Sequence, residues 1–129
     1  MKPVATDTAR KPKRVNLRRP DVMEQVKAQV MTHYRSELVD HLRTKGEATC
    51  PKAKITIKLA KEFGFCYGVE RCIDLAYAAL KVFPEKKIYI LGEIIHNPEV
   101  NDQIRDMGIQ FLSGPNKAAN IDDLTKDDV

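Results

Sequence analysis

Two short stretches of this sequence carry side chains whose type and setting suit chemistry. The first is Phe63-Gly64-Phe65-Cys66-Tyr67-Gly68-Val69-Glu70. It places a cysteine between an extended, alternating run, Ile55 to Ala60, and a helix-period run that begins at Val69. Gly64 and Gly68 let the backbone turn tightly and approach another group closely. The positive end of the following helix and its free N–H groups favour an anion, and a thiolate is such an anion. Cys66 is therefore the expected metal ligand or nucleophile; the ordinary alternative is a small inert cysteine in a turn. The second stretch is Gly92-Glu93-Ile94-Ile95-His96-Asn97-Pro98. His96 stands just before an expected helix start, with Asn97 as N-cap and Pro98 at the first helical position. An imidazole beside unpaired helix N–H groups suits a phosphate or diphosphate, although a lone histidine there also fits a plain surface residue. Glu93 reads as a solvated loop glutamate. No C-x-x-C, P-loop or G-x-G-x-x-G occurs, so a self-contained zinc, ATP or dinucleotide site is not indicated.

The elements that must position these residues follow from spacing. Asp21 is expected to open a helix as its N-cap, with Glu24 three residues on. Val22, Val26, Val30, Tyr34, Leu38 and Leu42 recur every four residues, and Gly46 supplies the stop. That spacing drifts around a 3.6-residue helix, so a kink and a restart at Ser36 are expected. Lys45 to Lys54 reads as a polar connector, and its Cys50 as incidental. Ile55 to Ala60 is the expected first strand. Val69, Cys72, Ile73, Ala76, Leu80 and Phe83 mark one face of a helix that Pro84 ends, with Cys72 in the core. Ile88 to Leu91 is a second strand, of the continuously apolar kind buried in parallel sheets. Val100, Ile104 and Met107 face a short helix inward before Gly108, and Ile109 to Leu112 is a third strand. Ser113 to Asp128 reads as a polar connector with a helical turn near Ile121 to Leu124, and Val129 as the first residue of a further strand. The order β-α-β-α-β predicts an α/β fold, a parallel sheet with flanking helices. Cys66 and His96 would then share the carboxyl edge of that sheet, where functional groups gather.

Composition bounds the rest. The chain of 129 residues is 43% hydrophobic and 31% charged, which fits one domain with a charged tail. Of the 22 Lys/Arg and 18 Asp/Glu, residues 1–20 hold seven and one, leaving 15 and 17 for the remainder. The basic pI therefore describes the tail. Residues 1–20 also carry three prolines and no aromatic residue, and read as a disordered, solvated leader rather than a nucleic-acid arm. No apolar run approaches the ~20 residues of a membrane span, and no apolar signal segment follows Met1. Three cysteines at irregular spacing argue against a disulfide framework. The expected organisation is a leader over 1–20, a helical extension over 21–46 and a partial α/β domain over 54–129.

Gly64-Phe65-Cys66-Tyr67-Gly68-Val69-Glu70-Arg71 and Glu93-Ile94-Ile95-His96-Asn97-Pro98-Glu99-Val100-Asn101 resemble the N-terminal signatures of the 4-hydroxy-3-methylbut-2-enyl diphosphate reductase family. The resemblance runs over roughly residues 21 to 129, with both motifs in family order. The aromatic after the cysteine, the Phe83-Pro84 pair and the helical extension resemble the cyanobacterial and plastid branch. The resemblance implies a fold of three similar α/β domains around a [4Fe–4S] cluster, of which this chain holds the first. It implies that Cys66 ligates one iron and that His96 hydrogen-bonds the substrate diphosphate. The implied reaction is the reductive loss of the allylic hydroxyl, with two electrons and two protons, to isopentenyl and dimethylallyl diphosphates in the methylerythritol phosphate route of isoprenoid biosynthesis. Ferredoxin or flavodoxin is the implied kind of electron donor, and bacterial cytoplasm or plastid stroma the implied compartment. In the family the two further cluster cysteines, a second histidine, the catalytic glutamate and a Ser/Asn diphosphate pocket lie beyond the point matching Val129. The chain is thus expected to be truncated, with no catalytic residue of its own. The competing expectation is an inactive fragment or a small phosphate-binding α/β module without redox chemistry.

Overall fold

The computed structural model describes residues 14–129; most of the expected leader lies outside the described residues. The elements in chain order are helices α1 (Pro20–Tyr34) and α2 (Glu37–Lys45), strands β1 (Glu47–Cys50) and β2 (Ile55–Lys58), helix α3 (Tyr67–Val82), strand β3 (Tyr89–Ile90), helix α4 (Pro98–Asp106) and strand β4 (Gln110–Phe111). A 3₁₀ turn, Ile121–Asp123, follows. The result is a mixed α/β fold with short sheets.

The core gathers where α1, α3, α4 and the β3–β4 pair meet. Val22 and Val26 of α1 pack into one cluster with Ile73, Ala76 and Tyr77 of α3, Val100 and Ile104 of α4, and Ile88, Ile109 and Phe111 at the strands. Strand β3 pairs with β4 in parallel, Tyr89 opposite Gln110 and Ile90 opposite Phe111. On the other edge of β3, Tyr89 N–H donates to the Val129 carbonyl at 2.8 Å and Val129 N–H donates to the Lys87 carbonyl at 3.0 Å. Val129 therefore takes up parallel strand pairing, as its sequence position suggests. No helix among the described residues is long and apolar enough to cross a membrane.

Helix α1 starts earlier than expected. Arg19 is the N-cap and Pro20 occupies the first turn, so Asp21 lies inside the helix as a first-turn acid. Proline's fixed φ suits the first helical position, and that preference outweighs the capping side chain of Asp21. The expected break is present: Arg35 is extended, and the Ser36 hydroxyl accepts from Val39 N–H to start α2. Gly46 ends α2 at φ 79°, a conformation that a Cβ would strain. The segment before Pro20, expected to stay unpacked, has a seated end: Leu17 packs against the core.

Three expectations about strands and faces are corrected. Residues 47–50, read as connector, form a strand, and β2 pairs antiparallel with it from Glu47↔Lys58 to Cys50↔Ile55. The alternating run from Ile55 is a strand, but it lies in a separate two-stranded sheet, not in the parallel one. An alternating pattern fits either partner, and here the nearest one in sequence is taken. The third concerns Cys72, which is exposed. Helix α3 buries Ile73, Ala76, Tyr77, Ala78 and Ala79, so its buried arc centres on Ile73 and Tyr77, which turns Cys72 out to its margin.

Candidate functional site

The Cys66 turn owes its shape to backbone chemistry. Gly64 adopts φ 120°, where a side chain is strained. Cys66 is extended (φ −67°, ψ 159°) and serves as N-cap of α3, its carbonyl accepting from Glu70 N–H at 2.9 Å. No side chain caps α3. The first-turn N–H groups and the helix dipole are thus open to an anion beside the cysteine. The Cys66 thiol is free and exposed, as are those of Cys50 and Cys72. Phe65 anchors the turn from below: its ring meets Tyr34 of α1 edge-on at 5.4 Å. Tyr34 in turn neighbours the Tyr77 hydroxyl at 3.4 Å, and Tyr77 meets His33 Nδ1 at 2.7 Å. Burial, then the hydrogen bond to Tyr34, pushes the Tyr77 phenol well above its ordinary range. The helical extension is therefore wired by side chains to the residue preceding the cysteine.

The His96 loop is built differently. The Asn97 side chain caps α4, its Oδ1 accepting from Glu99 N–H at 3.0 Å and Val100 N–H at 3.3 Å. Asn101 N–H donates to the Asn97 carbonyl, and Pro98 has no N–H to offer. The expectation that unpaired N–H groups of this helix would bind an anion is therefore overturned, because the cap already satisfies them. What remains for an anion is the imidazole. The His96 side chain is 99% exposed, with Nδ1 at 3.0 Å from Glu93 Oε2. Glu93, read as solvated, is only 11% exposed, and its other oxygen accepts from Asn116 Nδ2 at 3.2 Å. Below the loop, Asn101 is buried and its Nδ2 donates to the Ile95 carbonyl at 3.1 Å.

Because β2 is not in the parallel sheet, Cys66 and His96 do not share one sheet edge. Their turns meet instead across an open groove of about 480 Å³. Phe63, Gly64 and Phe65 of the first turn and Asn97, Glu99 and Val100 of the second line it together with residues of α1 and α2. Neither the Cys66 nor the His96 side chain lines that groove. Sequence reasoning missed Glu93 and Asn116. A glutamate three residues before the histidine was visible, but no sequence signal marked its burial.

Comparisons with known proteins cover both turns. Residues 57–125, which contain both, match the family model described as LytB protein. The 4-hydroxy-3-methylbut-2-enyl diphosphate reductase of Prochlorococcus marinus is 42% identical over 96 residues, 74% of this chain and 24% of that relative. The reductase of Thermosynechococcus vestitus is 39% identical over 106 residues, 82% of this chain and 26% of that protein. That of a Nostoc species is 41% identical over 98 residues, 76% and 24% of the two chains. The chain thus spans about a quarter of the length of the curated relatives it matches. No solved structure matches it. With more than half the chain inside the family match, and with the Cys66 and His96 turns both within it, this chain belongs to the LytB protein family.

Proposed function

We propose that this chain is the N-terminal portion of a 4-hydroxy-3-methylbut-2-enyl diphosphate reductase, the first of three similar α/β domains arranged around a [4Fe–4S] cluster. The observation that carries this reading is the exposed Cys66 thiol at the uncapped N-terminus of α3, inside the family-matched residues. A thiolate there is the kind of ligand that cluster irons take. In this reading Cys66 supplies one ligand to one iron, and the remaining ligands come from the rest of the reductase. When bound, such a cluster supplies an iron open to the substrate hydroxyl and a path for two electrons from a ferredoxin- or flavodoxin-type donor. Two protons complete the loss of water. His96 binds the substrate diphosphate through its exposed imidazole, and the reductase works in bacterial cytoplasm or plastid stroma.

The test is made in the full-length reductase. Cys66→Ser should abolish turnover and lower iron content, whereas Cys72→Ala and Cys50→Ala should keep both. Equal iron loss in the three variants would remove Cys66 from the cluster. For His96, loss of one charge-assisted hydrogen bond costs roughly 1.5–3 kcal/mol, or about ten- to a hundredfold in affinity. His96→Asn should therefore keep the cluster absorbance and bind pyrophosphate that much more weakly. Unchanged affinity would remove His96 from the diphosphate site.

A further inference from the structure

We propose that Glu93 is the positioning residue for His96, and that Asn116 fixes Glu93 in turn. The inference rests on the reading of His96 as a diphosphate contact and adds the group that sets the imidazole's orientation. Three observations carry it. Glu93 Oε2 lies 3.0 Å from His96 Nδ1, and Glu93 Oε1 takes the Asn116 amide at 3.2 Å. The carboxylate is 11% exposed while the imidazole that it holds is 99% exposed. The α4 cap has used up the neighbouring backbone donors.

The chemistry follows from donor counting. A carboxylate accepts and does not donate, so the Nδ1 that faces it carries the proton. Nε2 is then the nitrogen left for a ligand, and it donates to an oxyanion when the ring carries a proton on both nitrogens. Taking a carboxylate nearly out of water has a cost that partners must offset, and Asn116 and His96 are those partners. An ion pair whose imidazole is fully in solvent adds little to stability. Orienting His96 gives this buried carboxylate a use that stability does not. The two loops are tied at a second point, where the Ser113 hydroxyl donates to the Leu91 carbonyl. The loop after β4 thereby supports the loop after β3 on which His96 stands.

The experiment is a double-mutant cycle on pyrophosphate affinity in the cluster-loaded reductase, using Glu93→Gln, His96→Asn and the pair. Glu93→Gln keeps the shape and removes the charge. It should weaken pyrophosphate about tenfold, the lower end of what losing the outer partner costs at a metal-ligating histidine, with the cluster absorbance unchanged. In the His96→Asn background it should have no further effect, because Glu93 acts only through the ring. Nitrogen-15 spectra of the cluster-loaded full-length reductase give a second readout: His96 should carry its proton on Nδ1 in the parent and lose that preference in Glu93→Gln. A Glu93→Gln variant that binds as the parent does, or whose loss adds in full to that of His96→Asn, overturns the role of Glu93 while leaving the diphosphate reading intact. An unchanged affinity in His96→Asn overturns both.

Discussion

Replacing Tyr77 by phenylalanine tests how the helical extension is held on α3. Tyr77 is 1% exposed. Its hydroxyl lies 2.7 Å from His33 Nδ1 and 3.4 Å from the Tyr34 hydroxyl, both on α1. The ring stays in place in the variant, so the apolar packing with Val22 and Val26 is kept and only polar contacts are lost. The short contact to His33 accounts for most of the effect, and a part-buried partner left unpaired brings the cost to about 1–2 kcal/mol. For a chain of this size that is a fall in Tm of roughly 3–8 °C at pH 7. The alkaline limb supplies an independent check. The folded-state phenol titrates above its ordinary value of 10.0, so its contribution to stability is fully present below pH 10.0 and is lost as pH rises beyond it. Above that point the parent should lose up to about 1.4 kcal/mol per pH unit relative to the variant, which closes the gap between them near pH 11. Urea unfolding of both chains from pH 7 to 11 measures it. Equal stability at pH 7 together with parallel alkaline limbs would refute the hydroxyl network.

Other substitutions probe the remaining supports. Asn97→Ala removes the acceptor for two N–H groups of α4 and should cost about 1–2 kcal/mol in urea unfolding. Gly46→Ala meets no atom within 4 Å of its Cβ, so its cost of about 1 kcal/mol should come from the φ of 79° alone; an unchanged midpoint would mean that α2 ends differently. Burial, and then Glu70, raise the Asp74 carboxyl above its usual 3.8 against the opposing pull of Lys27 and Arg18. A raised carboxyl favours the fold below pH 3.8 and loses that contribution as pH rises. Asp74→Asn should thus raise the midpoint slightly at pH 7, with the advantage vanishing in acid.

The parts of this chain legible in sequence are those governed by neighbours along the chain. Ser36, Gly46 and Asn97-Pro98 mark helix ends because a cap satisfies N–H or C=O groups within a few residues of itself, and each stands where those signals place it. The place of Cys66 at a helix start was legible for the same reason. What failed depended on partners distant in sequence or on two solutions of equal local merit. Ile55 to Lys58 alternates as well for a hairpin as for a sheet, and Glu47-Ala48-Thr49-Cys50 gives no strong strand signal to predict its pairing. The outward turn of Cys72 was set by α1, because docking Val22 and Val26 against Ile73 and Tyr77 fixes the rotation of α3. Glu93 is the sharpest case. Its partner Asn116 lies 23 residues on, across β4, and nothing local to either residue announces the meeting. Short-range signals therefore placed His96 at its loop before α4, while a long-range contact, Asn116 to Glu93, decides how the carboxylate beside it is held.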